Sequence, residues 1–438
     1  MTSEVRTTLS ESLYERAKRV LPGGVSRNTV VGIPHPLYVD HASGCRVIDV
    51  EGVERIDFAN NMAALIHGHA SPQIIEAVTA QIQRGTAFTL ATEVEIRFAE
   101  HMCGRSESFE MLRFVNSGTE AVMAAVKASR AYTGRSKIAK VEGAYHGQYD
   151  YVEVSQTADP TNWGSNSQPK GVPVAHGTPT GVLNDVVVIP FNDPDGAIAL
   201  LDEYKHQLAC VLVDPMPHRV GLSPAEPEFV SALREWTERD GALLVFDEVI
   251  TFRSEYGGAQ TWYEDRPDLT ALGKLIGGGF PAGAVAGSRD VMEVMNPLAE
   301  RVLFPHSGTF SANPVTMTAG LTAMELFDHE AVASVNALAT RAMEGIEEAI
   351  GRTGIDACVT GGGSMFRVHL KERPPRDYRE AFADEKEKRQ LKALLRHLED
   401  AGFIMINTCS ATISTPMGTE EIDALVDAME SGFAKLKS

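Results

Sequence analysis

Cysteine is scarce in this chain: five in 438 residues, at Cys45, Cys103, Cys210, Cys358 and Cys409, with no Cys-x-x-Cys pair. An odd, scattered set excludes a disulfide framework or a thiolate metal cluster and fits reduced thiols in a cytosolic setting. Excess positive charge is also lacking. Forty Lys and Arg stand against 59 Asp and Glu, a formal charge of −19, which argues against nucleic acid or an anionic membrane as the main partner. No run approaches the ~20 apolar residues of a membrane-spanning helix, and Met1-Thr2-Ser3-Glu4-Val5-Arg6 has no apolar signal core. Two nucleotide signatures are missing too. Leu243-Leu244-Val245-Phe246-Asp247-Glu248 ends in acids like a nucleotide hydrolase strand, but no Gly-x-x-x-x-Gly-Lys-[Ser/Thr] loop accompanies it; no Gly-x-Gly-x-x-Gly opens a strand–helix unit. His67-Gly68-His69 offers two metal ligands without a third at a telling spacing, so no metal is expected. These absences set the expectation of a cytoplasmic globular protein.

What is present is ample for a core: 43% hydrophobic residues and 23% charged ones. The length far exceeds the usual domain of about 100–150 residues, so two domains are expected. Helical spacing of Leu9, Leu13, Ala17 and Val20 predicts a helix over 8–21, stopped by Leu21-Pro22-Gly23-Gly24. Short alternating runs through Phe58 read as strands and hairpins. From about residue 61 the texture changes. Apolar runs at 112–115, 138–141, 186–189, 208–213 and 242–246 each precede a loop and a helical pattern, with 284–287 as a further strand. Strands apolar throughout belong to sheets buried on both faces, usually parallel ones with helical crossovers. This alternation stops near residue 305. A long helical pattern over 313–351, strands at 365–370, 403–406 and 411–414, and helices at 385–398 and 420–436, the last capped by Thr419, give an α+β texture. Residues 157–184, rich in Pro, Gly, Thr and Asn, read as a long functional excursion.

In an open parallel sheet, ligands bind beyond the carboxyl ends of the strands. Asn116-Ser117-Gly118-Thr119 follows the first run and opens an alanine-rich helix; its free amides make either a phosphate cradle or an ordinary cap. Glu142-Gly143-Ala144-Tyr145-His146-Gly147 follows the next, with a tyrosine fit to stack on a flat heterocycle or simply to sit in a loop. Asp214 and Asp247 end two further runs, where helix caps also favour acids. The run 269–272 leads to Lys274, with glycines at 277, 278, 279 and 283. That lysine is either a desolvated carbonyl nucleophile or a core-edge lysine before a glycine-rich turn. Together these strand ends supply the parts pyridoxal phosphate needs: phosphate anchor, ring stack, acid for the pyridine nitrogen and Schiff-base lysine.

Asn116-Ser117-Gly118-Thr119-Glu120-Ala121, Tyr145-His146-Gly147, Asp247-Glu248-Val249, Leu272-Gly273-Lys274 and His306-Ser307-Gly308-Thr309-Phe310 resemble the class III aminotransferases, in that family's order. The glutamate-1-semialdehyde aminomutase branch, which also holds β-amino-acid transaminases, is similar at Leu21-Pro22-Gly23-Gly24-Val25 as well. The resemblance implies an α/β protein of fold type I, its mostly parallel sheet flanked by helices. A large cofactor domain would span 61–310, and a smaller α+β domain 1–60 with 311–438. It implies pyridoxal 5′-phosphate as cofactor, with Lys274 and Asp247 catalytic. Ser117, Gly118, Thr119, Tyr145, His146 and Val249 would help hold the cofactor. Thr309 would join from a neighbouring subunit, making a homodimer with its sites at the interface. Arg27, where β-amino-acid transaminases of this branch carry a carboxylate-binding arginine, reads as a substrate clamp or a surface salt bridge. Arg219 reads as a second clamp or as loop scaffolding. Two departures stand out. Asp214-Pro215 replaces the family's Glu-Pro, and Thr408-Cys409-Ser410-Ala411 stands where aminomutases carry Phe-Glu-Ala. The expectation is therefore transamination between an amino acid, β-amino acids included, or an amine and a keto acid; the alternative is the aminomutase isomerisation.

Overall fold

The computed structural model describes residues 8–437, so the Met1–Arg6 segment lies outside the described residues. Strands β1 (Val39–Ser43), β2 (Arg46–Asp49) and β3 (Glu54–Asp57) form an antiparallel meander near the N-terminus. The central strands follow: β4 (Met111–Val115), β5 (Lys137–Val141), β6 (Val186–Ile189), β7 (Leu208–Val213), β8 (Leu243–Asp247), β9 (Leu269–Gly273) and β10 (Gly283–Gly287). Toward the C-terminus come β11 (Cys358–Gly362), β12 (Met365–His369), β13 (Phe403–Ile404) and β14 (Ser410–Thr412).

The central strands make one seven-stranded sheet in the order β4-β10-β9-β8-β7-β5-β6. Only β10 runs against its neighbours; β9, β8, β7, β5 and β6 pair in parallel. Every residue of β7 and β8 is buried, because both faces are covered. Cys210, Leu212 and Val245 pack with the helix Gly118–Thr133 through Ala121, Ala124, Ala125 and Ala128. Val211, Val213, Leu244 and Phe246 point the other way, against Leu200 and Leu201 of the helix Pro194–Asp202 and Phe229, Leu233 and Trp236 of Pro227–Asp240. Alanines let the first helix lie close to the sheet.

The α+β texture of the chain ends becomes two small sheets. Strand β13 pairs in parallel with β3 (Phe403 opposite Ile56), so both chain ends share one of them. Strands β11, β12 and β14 form the other. One apolar cluster joins Phe58, Leu394, Ile413 and Phe433 to Leu272, Leu275 and Ile276 around the end of β9. Among the described residues no helix is long and apolar enough to cross a membrane, and all five cysteines are free.

Several expected boundaries differ. The helix expected over 8–21 ends at Ala17, before a 3-10 turn at Pro22–Gly24. The helix expected over 313–351 is two, Pro314–Leu326 and His329–Thr353. Phe327 leaves helical geometry (φ −92°, ψ 63°), and Asp328 caps the second helix by accepting from the Ala331 amide. Thr419 is the first helical residue rather than a cap; the Glu421 carboxylate reaches back to the Gly418 amide instead. The expected strands at 365–370, 403–406 and 411–414 are shorter or shifted by a residue or two, since β13 and β14 pair only briefly.

Candidate active site

Because β5, β7, β8 and β9 are parallel, they end at one edge of the sheet and deliver Tyr145–His146, Asp214, Asp247 and Lys274 there. Asp247, 4% exposed, is held from both sides. Its Oδ1 accepts the Val249 amide at 3.0 Å and its Oδ2 pairs with His146 Nδ1 at 2.8 Å. His146 is buried, and burial pushes its imidazole pKa down against the raising effect of Asp247. Its Nε2 is buried without a partner among the described residues.

Lys274 adopts a left-handed backbone conformation (φ 50°), following an extended Gly273 and opening the 3-10 turn Lys274–Gly277. A non-glycine residue held there carries strain, which persists only when the surroundings fix it. Burial pushes its ammonium pKa below the usual lysine range, while Asp247 and Asp214 pull it back up through space, without a hydrogen bond. Asp214 is buried as well. Burial and the neighbouring Asp247 drive its carboxyl well above the usual carboxylate range, and its Oδ1 accepts the Met216 amide.

Beyond β4, Ser117 caps the helix Gly118–Thr133, its hydroxyl accepting the Glu120 amide at 3.1 Å and its carbonyl the Ala121 amide. The first amides of a helix have no intrahelical acceptor, so those of Gly118 and Thr119 stay open to an anion. Thr119 Oγ1 accepts the Gln148 amide, tying this turn to the Tyr145–His146 loop. Backbone crowding fixes the rest. A Cβ on Gly118 would lie 2.7 Å from Val249 Cγ1, and one on Gly273 3.2 Å from both the Gly118 Cα and Val249 Cγ1. Only glycines let Val249 wedge between the two strand ends.

Ser117, Gly118, Thr119, Tyr145, His146, Asp247, Val249 and Lys274 thus converge. Arg219 reaches the same place, its guanidinium 5.8 Å from the centre of the Tyr145 ring. Arg27 is exposed and donates to Asn61 Oδ1 at 2.8 Å; Thr309 is exposed in the loop after Phe304. Among the described residues, neither has a hydrogen bond or ion pair to the cluster. His67 and His69 face other partners, Thr415 and the Ala323 carbonyl for the first and Asp57 for the second. The excursion 157–184 is pinned by Arg379, which joins Glu142 at 2.8 Å and donates to the Trp163, Gly164 and Ser165 carbonyls. Sequence reading passed over Arg367, although an arginine inside the apolar run Met365-Phe366-Arg367-Val368 was a visible signal.

These residues fit pyridoxal phosphate: open amides for its phosphate, a buried carboxylate for its ring nitrogen, and a desolvated amine on the adjacent strand for its aldehyde. Sheet and site together define a pyridoxal-phosphate enzyme of fold type I. Comparison gives the family. The Aminotransferase class-III family model matches residues 29–431, and the chain belongs to that family. A glutamate-1-semialdehyde 2,1-aminomutase from Methanothermobacter thermautotrophicus is 37% identical over 433 residues, covering 98% of this chain and 100% of the relative. The structure superposes on an omega-transaminase from Sphaerobacter thermophilus with TM-score 0.97 at 46% identity, covering 99% of each chain. A transaminase with PLP bound gives TM-score 0.91 at 43% identity over 98% of each chain.

Proposed function

We propose that the chain is an aminotransferase, moving an amino group from an amino acid, β-amino acids among them, or an amine to a keto acid. The observation that carries this reading is the partly buried Lys274 at the end of β9, its basicity lowered by its surroundings, beside the buried Asp247 at the end of β8. Bound there, pyridoxal phosphate supplies an aldehyde that captures amines and a ring that takes up the electron pair left when the substrate carbon loses a proton. Lys274, its basicity lowered by its surroundings, would take that proton from the substrate carbon and return it to the former aldehyde carbon; water then supplies the oxygen of the carbonyl product while the nitrogen stays behind for the keto acid. Asp247 would keep a proton on the ring nitrogen, and His146 holds its Oδ2 in place for that task. The open amides of Gly118 and Thr119, with Ser117 beside them, would hold the phosphate. Val249 and Tyr145 would lie against the two ring faces.

Arg219 and Arg27 would receive substrate carboxylates in this reading, since the guanidinium fork matches two oxygens. Thr309 of the partner subunit would complete the phosphate site. Phe88 and Leu90 in one loop, and Leu303 and Phe310 in another, leave large apolar side chains exposed, and a covering second copy would account for them. We also propose the division into a large domain at 61–310 and a small one from 1–60 and 311–438, and a cytoplasmic setting for the five free thiols.

The isomerase is the second reading, favoured by the name of the 37% identical relative. Against it, Thr408-Cys409-Ser410-Ala411 carries no carboxylate to serve an internal transfer. Incubation with donors, β-amino acids and both enantiomers included, with and without pyruvate or 2-oxoglutarate, separates the two. Transfer that requires the keto acid supports the aminotransferase; conversion of glutamate-1-semialdehyde alone at a comparable rate would establish the isomerase.

A further inference from the structure

Strand β12 alternates. Phe366 and Val368 enter the apolar core, whereas Met365, Arg367 and His369 face the Asp214–Leu222 segment that follows β7. Arg367 is only 8% exposed, yet its guanidinium makes one hydrogen bond among the described residues, Nη1 to the His218 carbonyl at 3.2 Å. Its Nε is buried without an acceptor. No carboxylate pairs with it among the described residues, and burial pushes its guanidinium pKa down to about 10.

Two other buried arginines show what a structural one looks like here. Arg253 donates to Ser364 Oγ and to the Ala63 and Ile413 carbonyls. Arg105 donates to the Tyr256, Met324 and Phe327 carbonyls and stacks on Tyr256 at 3.9 Å. A buried guanidinium normally spends its five donors in this way, since an unpaired buried charge is costly. Arg367 does not.

The surroundings tie it to the reaction centre. His218, whose carbonyl it holds, precedes Arg219, and Arg219 lies against Tyr145. Thr408 Oγ1 bonds both His218 Nε2 at 3.0 Å and Ser410 Oγ at 2.8 Å, and Ser410 is the cross-strand partner of Arg367. Burial holds the His218 ring pKa down at about 3, and the charges of Arg367, Arg219 and Lys274 act on it in the same direction. We propose that Arg367 is a specificity-determining residue that takes a carboxylate of the amino or keto acid, making carboxylate-bearing compounds rather than plain amines the substrate class. The ligand supplies the acceptor that the fold withholds. This inference rests on the aminotransferase reading for its site.

Glutarate, a non-reactive dicarboxylate, is the probe, titrated calorimetrically into cofactor-loaded wild type, Arg367→Lys, Arg367→Gln and Arg367→Met. Wild type should bind it and melt at a higher temperature in its presence. Arg367→Gln should bind it ~30-fold or more weakly, as expected for losing a charge-assisted pair, with Arg367→Lys between. Without glutarate, Arg367→Met should melt no lower than wild type, because a half-paired buried charge is gone. Failure of wild type to bind glutarate, undiminished affinity in Arg367→Gln, or a lowered unliganded melting temperature in Arg367→Met would overturn the proposal. Cofactor absorbance on the same samples keeps the two claims apart. Its absence in wild type strikes the aminotransferase reading, whereas full absorbance with undiminished affinity in Arg367→Gln strikes only this one.

Discussion

Gly118→Ala tests how tightly the cofactor pocket is built. The new methyl would sit 2.7 Å and 2.9 Å from the two Val249 methyl carbons, closer than real Cβ atoms approach. Val249 has little room to yield. Its side chain is β-branched and stiff about χ1, its amide is tied to Asp247 Oδ1 at 3.0 Å, and Gly273 backs it on the other side. Overpacking of this kind costs about 1–3 kcal/mol; replacing glycine in a helix returns at most about 1 kcal/mol, less in the first turn. The clash is relieved only by shifting the Gly118 amide or Val249, which the cofactor needs in place. Up to the net of roughly 1–2 kcal/mol should therefore appear as weaker cofactor binding, by as much as about tenfold, since 1.4 kcal/mol is one decade. The assay is titration of cofactor-free protein with pyridoxal phosphate, followed by absorbance. Gly118→Ala/Val249→Ala should recover most of the loss, because the second change removes the methyls that clash. Wild-type affinity in the single variant, or no recovery in the double, would refute the reasoning.

Lys274→Ala should still bind cofactor but lose amino transfer by ~10³-fold or more, since nucleophile and proton carrier vanish together; near-normal rates would remove the assigned role. Lys140 donates to the Val141, Ala144 and Val154 carbonyls at 3.1, 3.2 and 2.9 Å, one for each ammonium proton. Lys140→Met should therefore lower stability by about 2–4 kcal/mol and speed amide exchange across 144–154, where Tyr145 and His146 lie; an unchanged melting curve would contradict this. Burial and Arg367 hold the His369 pKa down at about 3, against 6.5 unperturbed. The unfolded chain then binds the extra proton between those values, so stability falls as pH drops through that window, by about 2 kcal/mol at pH 5. Denaturant titrations at pH 7 and 5 should show a smaller acid loss in His369→Gln; equal losses would refute it.

The sheet was legible because its strands are apolar on both faces, and the residues after each run named Asp247, His146 and Lys274 without tertiary information. Direction was not legible. Gly283-Ala284-Val285-Ala286-Gly287 looks like any other buried run, and only its pairing shows β10 reversed. Apolar periodicity continues through Phe327, which hid the break that Asp328 caps. Residues Asn60 to Ala63 form a left-handed turn (φ 44° to 71°) that no local propensity favours. Long-range bonds fix it: Asn60 Nδ2 to the Thr412 carbonyl and Arg253 Nη1 to the Ala63 carbonyl. Arg367 is the same kind of case, since its lack of acceptors exists only once β12 has docked on the Asp214–Leu222 segment.

The central claim is that the amine at position 274 is the group that bonds the cofactor's aldehyde. Borohydride reduction of the cofactor-loaded protein, followed by proteolysis and mass spectrometry, reads this out directly. The account predicts one modified peptide, carrying the pyridoxyl group on Lys274. An unmodified digest, or the group on another lysine, would contradict it.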